Sequence, residues 1–309
     1  MAGTAGPRGV WDKIMELVEE SLPDPAFEAL EPADQSAALV FNSPHSGQRY
    51  PAAFLAASCL DERAIRRSED SFVDELFLPV LQRGAPLLRA HFPRAWLDVN
   101  REPYELDPKM FTGEVPAFAN IASLRVAGGL GTIARIVAES QEIYAVPLPI
   151  QEALTRIDSV YVPYHKTLRG LIARTHASFG FAILIDCHSM PSFTRTSSAR
   201  TRPHFVLGDR HGTSCSRELT QLAYRFLTGR GYSVACNKPY AGGFITEHYG
   251  RPHSHLHALQ LEINRALYLD ERTLQKTSGF GELQRDLMGL VEELAGLSLC
   301  GEIDREAAE

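Results

Sequence analysis

Short apolar segments that end in polar residues are the feature of this sequence that most restricts its fold. The clearest is FAILID at 181–186, which is wholly apolar until its final aspartate. A strand with apolar side chains on both faces is typical of a sheet covered on both sides, as in parallel α/β proteins. Six further segments are predicted to be strands: 37–42, 87–92, 95–99, 204–209, 232–237 and 257–268.

Segments with apolar residues at helical spacing separate these strands. This alternation predicts an α/β fold with three layers, in which helices flank a central, mostly parallel (mixed) sheet. The chain of 309 residues is expected to form a single domain. Within it, 1–36 is expected to be a peripheral extension with a helix at 10–20, and 271–309 a helix-rich C-terminal segment.

Charge and cysteine content restrict the class of protein. The formal net charge is −7, and no dense cluster of lysine and arginine indicates binding to nucleic acid or a membrane surface. The five cysteines are scattered without a C-x-x-C pair, which argues against a disulfide framework or a thiolate zinc site. The first 20 residues lack the pattern of a signal peptide, and no apolar run is long enough to span a membrane. A cytoplasmic globular protein is expected.

His45 and His188 are the strongest candidates for metal ligands. Each follows a predicted buried strand, although 143 positions separate them in sequence. Two imidazoles and one carboxylate, with one coordination position left open, make up a catalytic zinc site. Neither H-E-x-x-H nor H-x-x-E is present, so the third ligand must be a distant aspartate or glutamate. The alternative is that both are loop histidines bonded to nearby backbone.

Three polar residues at the ends of other predicted strands are candidates for catalysis and binding. Glu262 lies among apolar residues of its strand, where a carboxylate can become a general base; alternatively, it faces solvent on an edge strand. Asn100 and Arg101 could bind a substrate carboxylate. Alternatively, Arg101 pairs with Glu102, Glu105 or Asp107, which follow it closely in sequence.

Two other features carry less weight. The glycine-rich segment at 127–133 lacks both G-x-G-x-x-G and the lysine of a phosphate-binding loop, which argues against nucleotide binding. Cys187 is adjacent to His188, but neighbouring side chains on a strand point to opposite faces, which argues against a Cys–His dyad.

Six ordered blocks of the chain, between about residues 38 and 270, closely resemble the N-formylglutamate amidohydrolase family. The blocks are NSPHSGQRYP (42–51), RRSEDSFVDELF (66–77), LDVNREPYELDP (97–108), IDCHSMPS (185–192), LGDRHGTSC (207–215) and the pair KPYAGGFITEHYGRP with HALQLEINRALYLDE (238–271). The resemblance implies a fold similar to that of zinc carboxypeptidases and aspartoacylases. It also implies one Zn²⁺ ion in each active site.

The resemblance also implies roles for individual residues. It makes His45 and His188 metal ligands and places the third ligand at Asp70, with Glu69 and Asp74 as alternatives. It makes Glu262 the general base and Asn100 with Arg101 the pair that binds a substrate carboxylate.

The implied reaction is hydrolysis of N-formyl-L-glutamate to formate and L-glutamate, a step of histidine degradation. Arg265 or Arg251 would contact the second carboxylate of this small anionic substrate. Two alternatives remain at this point. The substrate could be another N-acyl amino acid or a short peptide, or the chain could be a ligand-binding relative without turnover.

Overall fold

A seven-stranded mixed sheet forms the centre of the molecule. The computed structural model describes residues 24–137, 141–193 and 202–299. The strands of this sheet are β1 (Phe27–Leu30), β2 (Leu39–Ser43), β3 (Leu87–Ala90), β8 (Ala182–Met190), β9 (Phe205–Gly208), β10 (Val234–Cys236) and β11 (Leu256–Asn264). Their spatial order is β1-β3-β2-β8-β11-β9-β10. Four consecutive strands, β3, β2, β8 and β11, are parallel, whereas β1 runs antiparallel to β3 and β9 antiparallel to β11.

Three pairs of short strands lie outside this sheet. They are β4 (Phe111–Thr112) with β7 (Leu148–Pro149), β5 (Ile136–Val137) with β6 (Gln141–Glu142), and β12 (Leu269–Asp270) with β13 (Gln275–Lys276). The α-helices are α1 (Ala52–Ala57), α2 (Glu62–Ile65), α3 (Val73–Phe77), α4 (Leu124–Ala127), α5 (Ile150–Arg156), α6 (Val162–Phe179), α7 (Arg217–Gly229), α8 (Phe244–Tyr249) and α9 (Phe280–Ala295). A π-helical turn, Ile157–Tyr161, joins α5 to α6.

The two faces of the sheet are covered by different layers. On one face, Leu39, Ile183 and Leu259 belong to a core cluster with residues of α3, α7 and α9. On the other, Val40 and Leu184 belong to a cluster with residues of α6. Successive side chains of a strand point to opposite faces of the sheet. Because both faces are covered here, the buried strands carry apolar residues at successive positions. The predicted three-layer α/β architecture is confirmed.

Two sequence predictions about the edges of the fold need correction. Residues 95–99 were predicted to form a strand, but Trp96 N donates to Pro93 O, which is the hydrogen bond of a turn. Asp98 N donates to Thr132 O, which lies outside the sheet. The apolar side chains there are buried, and burial rather than strand pairing explains their pattern. Strand β1 comes from the segment predicted to be a peripheral extension and pairs with β3. The predicted helix at 10–20 lies outside the described residues.

The helical layers contain no membrane-spanning element in the described part of the chain. Among those residues, no helix has both the length and the apolar character that a membrane crossing requires.

The core predicts a strong dependence of stability on Leu39. Its side chain is fully buried against the layer of α3, α7 and α9, so Leu39→Ala should lower the free energy of unfolding by about 2–5 kcal/mol. Leu124→Ala is the matched control, because the Leu124 side chain is 93 % exposed and should change it by less than about 0.5 kcal/mol. Denaturant titration of both variants measures the difference; equal effects would contradict the packing described for β2.

Candidate active site

The second half of strands β8 and β11 carries polar side chains toward one face of the sheet. His188 pairs with Glu262, and Asp186 with Gln260, in the parallel register of these strands. Because paired residues on neighbouring strands point the same way, the four side chains form a buried polar patch with a strand spacing of about 4.8 Å. Glu262 lies within its strand, as the sequence indicated, whereas His188, which was predicted to follow a strand, also lies within one. Cys187 lies in the apolar core of the opposite face.

His45, Asp70 and His188 form a group that could hold a metal ion. Their candidate ligand atoms all lie within 4.8 Å of one another, and all three side chains are buried. Asp70 Oδ2 is 3.0 Å from His188 Nδ1 and 3.4 Å from His45 Nδ1. Chain topology brings them together: His45 lies in the turn that follows β2, and Asp70 N donates a hydrogen bond to the His45 carbonyl.

Two further carboxylates orient the imidazoles. His45 Nε2 is 2.8 Å from Asp98 Oδ1, and His188 Nε2 is 2.9 Å from Asp186 Oδ2. Each ring thus presents Nδ1 to Asp70 and uses Nε2 for a carboxylate, which is how metal-binding histidines are usually held. His45 Nδ1 is buried without a hydrogen-bond partner, which is the state of a nitrogen that a cation would bind. The donor set of two imidazoles and one carboxylate fits zinc.

The alternative third ligands suggested by the sequence are engaged elsewhere. Glu69 accepts hydrogen bonds from Tyr50 Oη, Ser71 Oγ and the guanidinium of Arg66. Asp74 is paired with Arg89, at 3.3 Å. The geometry therefore favours Asp70.

Charges near the group keep its carboxylates ionised. Burial alone would raise the pKa of Asp98, but the guanidinium groups of Arg101 and Arg94 outweigh it and hold the pKa well below its usual range. Burial likewise opposes ionisation of Asp70, and the neighbouring imidazoles of His188 and His45 outweigh burial and hold its pKa well below the usual range. An ionised Asp98 can only accept, so Nε2 of a neutral His45 carries the hydrogen and Nδ1 carries the lone pair that a metal requires.

Glu262 has the environment of a general base. It lies on an inner strand, so the alternative that it faces solvent from an edge strand is wrong. Its side chain is buried, and Gln260 Nε2 donates a 2.8 Å hydrogen bond to its Oε1. Burial raises the pKa of Glu262 to about 7, a value suited to accepting and returning a proton near neutral pH.

A cavity of about 670 Å³ opens onto these side chains and contains an excess of positive charge. His45, Asp70, His188 and Glu262 all line it. Its lining includes six arginines: Arg67, Arg94, Arg101, Arg125, Arg210 and Arg265. In a chain with a net charge of −7, this concentration of guanidinium groups gives the cavity the electrostatic character of a site for a small anion.

Asn100 and Arg101 reach the cavity, but they differ in what they can contribute. Asn100 Nδ2 lies 3.2 Å from His188 Nε2 and 3.4 Å from Asp186 Oδ2, and its Oδ1 accepts from Ile245 N. Its amide therefore donates to Asp186 and accepts from Ile245 N beside His188, and binding of a substrate carboxylate by Asn100 stays a prediction. Arg101 is fixed by the carbonyls of Leu130 and Asn100 and pairs with Asp98, not with the acidic neighbours considered from the sequence.

The two arginines predicted to contact a second carboxylate are placed differently. The guanidinium of Arg265 donates to Ser189 Oγ and to two backbone carbonyls and is 3.4 Å from Asp70 Oδ1, so it holds Asp70 in place. Arg251 forms a bridge with Leu256 at the start of β11. Leu256 lies six residues, roughly 20 Å, along β11 from Glu262, and Arg251 is not among the residues that line the cavity, so the structure does not bring Arg251 to the candidate site.

Comparison with known proteins decides the family. The model of the N-formylglutamate amidohydrolase family matches residues 37–269, a span that contains every metal-binding candidate and Glu262. The chain belongs to this family. The resemblance recognised in the sequence is thereby confirmed.

Similar proteins of the N-formylglutamate amidohydrolase family cover most of the chain. It is 32 % identical to the N-formylglutamate deformylase of Pseudomonas aeruginosa, across 76 % of this chain and 83 % of that protein. It is 30 % identical to the N-formylglutamate deformylase of Pseudomonas putida, across 75 % and 82 %. The crystal structure of N-formylglutamate amidohydrolase from Ralstonia eutropha superposes with a TM-score of 0.82 at 36 % identity, covering 87 % of this chain and 97 % of that one.

Asp98, Asp186 and Gln260 are site residues that had no assigned role in the sequence analysis. A signal for two of them was available, because residues two apart on a strand share a face. Asp186 precedes His188 by two positions and Gln260 precedes Glu262 by two, so each was bound to lie beside its partner. Asp98 offered no such signal, since it lies outside the strands.

Proposed function

We propose that this chain is a zinc-dependent amidohydrolase that converts N-formyl-L-glutamate and water to formate and L-glutamate. One observation carries the proposal. Buried Glu262 and His188 lie opposite each other on neighbouring strands, beside Asp70 and His45, and line a cavity that is rich in arginine. Family membership, with curated relatives named N-formylglutamate deformylase, supports the choice of substrate. The test is release of formate and L-glutamate by the metal-loaded protein.

His45, Asp70 and His188 would hold the zinc ion. When bound, the ion supplies Lewis acidity toward the formyl carbonyl and makes water more acidic. Asp98 and Asp186 fix the two imidazoles for this task, and Arg265 with Ser189 fixes the aspartate.

Glu262 carries the proton through the reaction. Its carboxylate accepts a proton from the water whose oxygen adds to the formyl carbon, and it then delivers that proton to the amide nitrogen as the carbon–nitrogen bond breaks. Gln260 fixes Oε1, so the carboxylate is held in one orientation on the floor of the cavity. The products are formate and the free amine of L-glutamate.

Arg101 would bind one substrate carboxylate. It is anchored through Nε and Nη1, and Nη2, which is 3.5 Å from Asp98 Oδ2 at the wall of the cavity, is the nitrogen that would donate to the substrate carboxylate. Burial and the neighbouring Arg94 and Arg125 lower the pKa of Arg101 despite Asp98, so an anion at this wall would relieve a local excess of positive charge.

The proposed reaction belongs to histidine degradation, and we place it in the cytoplasm. Cys59, Cys187, Cys215 and Cys236 are free thiols, which is consistent with a reducing compartment.

A second candidate function is hydrolysis of a larger N-acyl amino acid. The volume of the cavity, about 670 Å³, favours it, because drug-sized ligands occupy pockets of about 300–1,000 Å³. A panel of N-acyl-L-glutamates with acyl chains of increasing length separates the two: a kcat/KM that is highest for the formyl group supports the first function.

Arg101 predicts a graded loss of activity. Arg101→Lys keeps the charge but loses the planar two-donor fork, so kcat/KM for N-formyl-L-glutamate should fall, and Arg101→Ala should cost more, about 2–4 kcal/mol. Zinc content should stay the same. Steady-state kinetics with N-formyl-L-glutamate and with an analogue carrying an amide in place of the relevant carboxylate measures this.

The amide analogue is the control for this prediction. The native chain should discriminate strongly against it, and the alanine variant hardly at all. Equal discrimination by both proteins would show that another cation binds the carboxylate and that Arg101 only stabilises Asp98.

A further inference from the structure

Arg210 lies in a turn whose backbone is strained. Arg210, His211 and Gly212, directly after β9, have φ angles of 53°, 59° and 84°, all in the left-handed region. Only glycine and, less often, asparagine or aspartate adopt this region readily, and a strained residue costs about 1–3 kcal/mol. Two consecutive non-glycine residues in it are therefore held there by the surrounding structure.

Side chains of neighbouring residues hold this turn. Asn237 Oδ1 accepts hydrogen bonds from Asp209 N and His211 N, and Asp209 Oδ1 accepts from Gly212 N and from Asn237 Nδ2. Arg210 N donates to Ala241 O at 2.7 Å. These bonds fix the direction in which the Arg210 side chain leaves the backbone.

The Arg210 side chain passes close to Gly242 on its way to the cavity. A Cβ atom at Gly242 would stand 3.1 Å from Arg210 Cδ, and Gly242 itself has a φ of 114°, which favours glycine. Arg210 Nη1 donates to Gly242 O, and the next residue, Gly243, donates through its backbone N to Gln260, the residue that orients Glu262. Arg210 thus lines the cavity close to the general base.

Arg210 and Arg101 reach the cavity from opposite sides. The sheet order β2-β8-β11-β9 places His188 and Glu262 on the two central strands. Arg101 is joined to Asp98 and so to His45, which follows β2, whereas Arg210 follows β9. The proposed reacting atoms therefore lie between two guanidinium groups.

The bonds of Arg210 also differ from those of the other cavity arginines discussed above. Arg265 is occupied by Asp70 and by backbone carbonyls, and Arg94 donates through Nε to the buried carboxylate of Asp98. Arg210 pairs with Glu247, whose side chain is 57 % exposed, at 2.7 Å. Such a solvated pair contributes little and exchanges readily, so a substrate carboxylate can replace Glu247 as the partner of Arg210.

We propose that Arg210 binds the second carboxylate of the substrate and so makes the enzyme selective for N-acyl derivatives of acidic amino acids. The inference rests on the proposed function, and it assigns to Arg210 the role that the sequence analysis gave to Arg265 or Arg251. The strained turn and Gly242 are the structural means by which the guanidinium reaches this position.

The test compares three substrates: N-formyl-L-glutamate, its side-chain amide N-formyl-L-glutamine, and its α-amide N-formyl-L-isoglutamine. The variant is Arg210→Asn, because asparagine tolerates the left-handed region and the turn should fold at least as well. The kcat/KM for N-formyl-L-glutamate should fall about 10- to 100-fold, and selectivity against one of the two amides should disappear. Arg101→Ala should abolish selectivity against the other amide. Thermal stability of Arg210→Asn should not decrease.

Glu247→Gln is the matched control, since it removes the partner of Arg210 and leaves the guanidinium in place. It should keep both selectivities. Any of three results would show that the inference is wrong. Glu247→Gln could reproduce the loss of selectivity, Arg210→Asn could keep both selectivities, or Arg125→Gln rather than Arg210→Asn could abolish one of them. If the native chain does not hydrolyse N-formyl-L-glutamate at all, the proposed function fails and the inference fails with it.

Discussion

Glu262→Gln is expected to lower kcat by about 100-fold or more while leaving the zinc content unchanged. Glutamine has nearly the same shape and can still contact Gln260, but it cannot accept the proton of water. The side chain is not among the three proposed metal ligands, so binding of the ion should persist. Steady-state kinetics together with metal analysis of the same preparation measures both quantities.

Glu142→Gln is a suitable control for Glu262→Gln. Glu142 lies on the surface, paired with Arg135, and outside the cavity lining, so its substitution should leave kcat unchanged. A nearly normal rate for Glu262→Gln would assign Glu262 a structural role. A parallel loss of zinc would instead make it a ligand.

Replacement of a metal ligand is expected to have the other large effect. His188→Ala removes one of three ligands and leaves Asp70 and Asp186 without their shared imidazole, so the purified protein should contain far less than one zinc per chain and show background activity. Metal analysis after dialysis and formate release from N-formyl-L-glutamate measure the two effects.

Three matched variants test the identity of the carboxylate ligand. Asp70→Asn should weaken zinc retention, whereas Glu69→Gln and Asp74→Asn should not, because their carboxylates are paired with arginines away from the two imidazoles. Zinc loss in either control variant with full retention in Asp70→Asn would overturn the assignment.

The fold was predictable because the buried strands carry an unambiguous signal. FAILID at 181–186 and the segment predicted at 37–42 have apolar side chains on both faces. They form the central strands β8 and β2 of the sheet. The segment at 95–99 has the same apolar character and is not a strand. An apolar composition indicates that a segment is buried. Whether the buried segment is a strand depends on which residues hydrogen-bond to its backbone, and the sequence does not reveal these partners.

The site was predictable where chemistry restricts residue type. His45, His188 and Glu262 were identified from their positions at or within strands, and Asp70 from the family resemblance. The arginines were harder, because arginine is common on every surface and only tertiary contacts distinguish Arg265, which contacts Asp70, from Arg251, which lies outside the cavity lining. Arg210, which we propose as a substrate-binding residue, was not predicted from the sequence, because its placement depends on a left-handed backbone that local preference disfavours.

Metal-dependent turnover of N-formyl-L-glutamate tests the proposed function most directly. The protein is stripped with a chelator, shown by metal analysis to be free of metal, and then titrated with Zn²⁺ while formate and L-glutamate are measured. Activity should be absent at the start, rise in proportion to bound zinc and reach its maximum at about one zinc per chain. Full activity in the verified metal-free protein, or a zinc-loaded protein inert toward every N-acyl acidic amino acid, would contradict it.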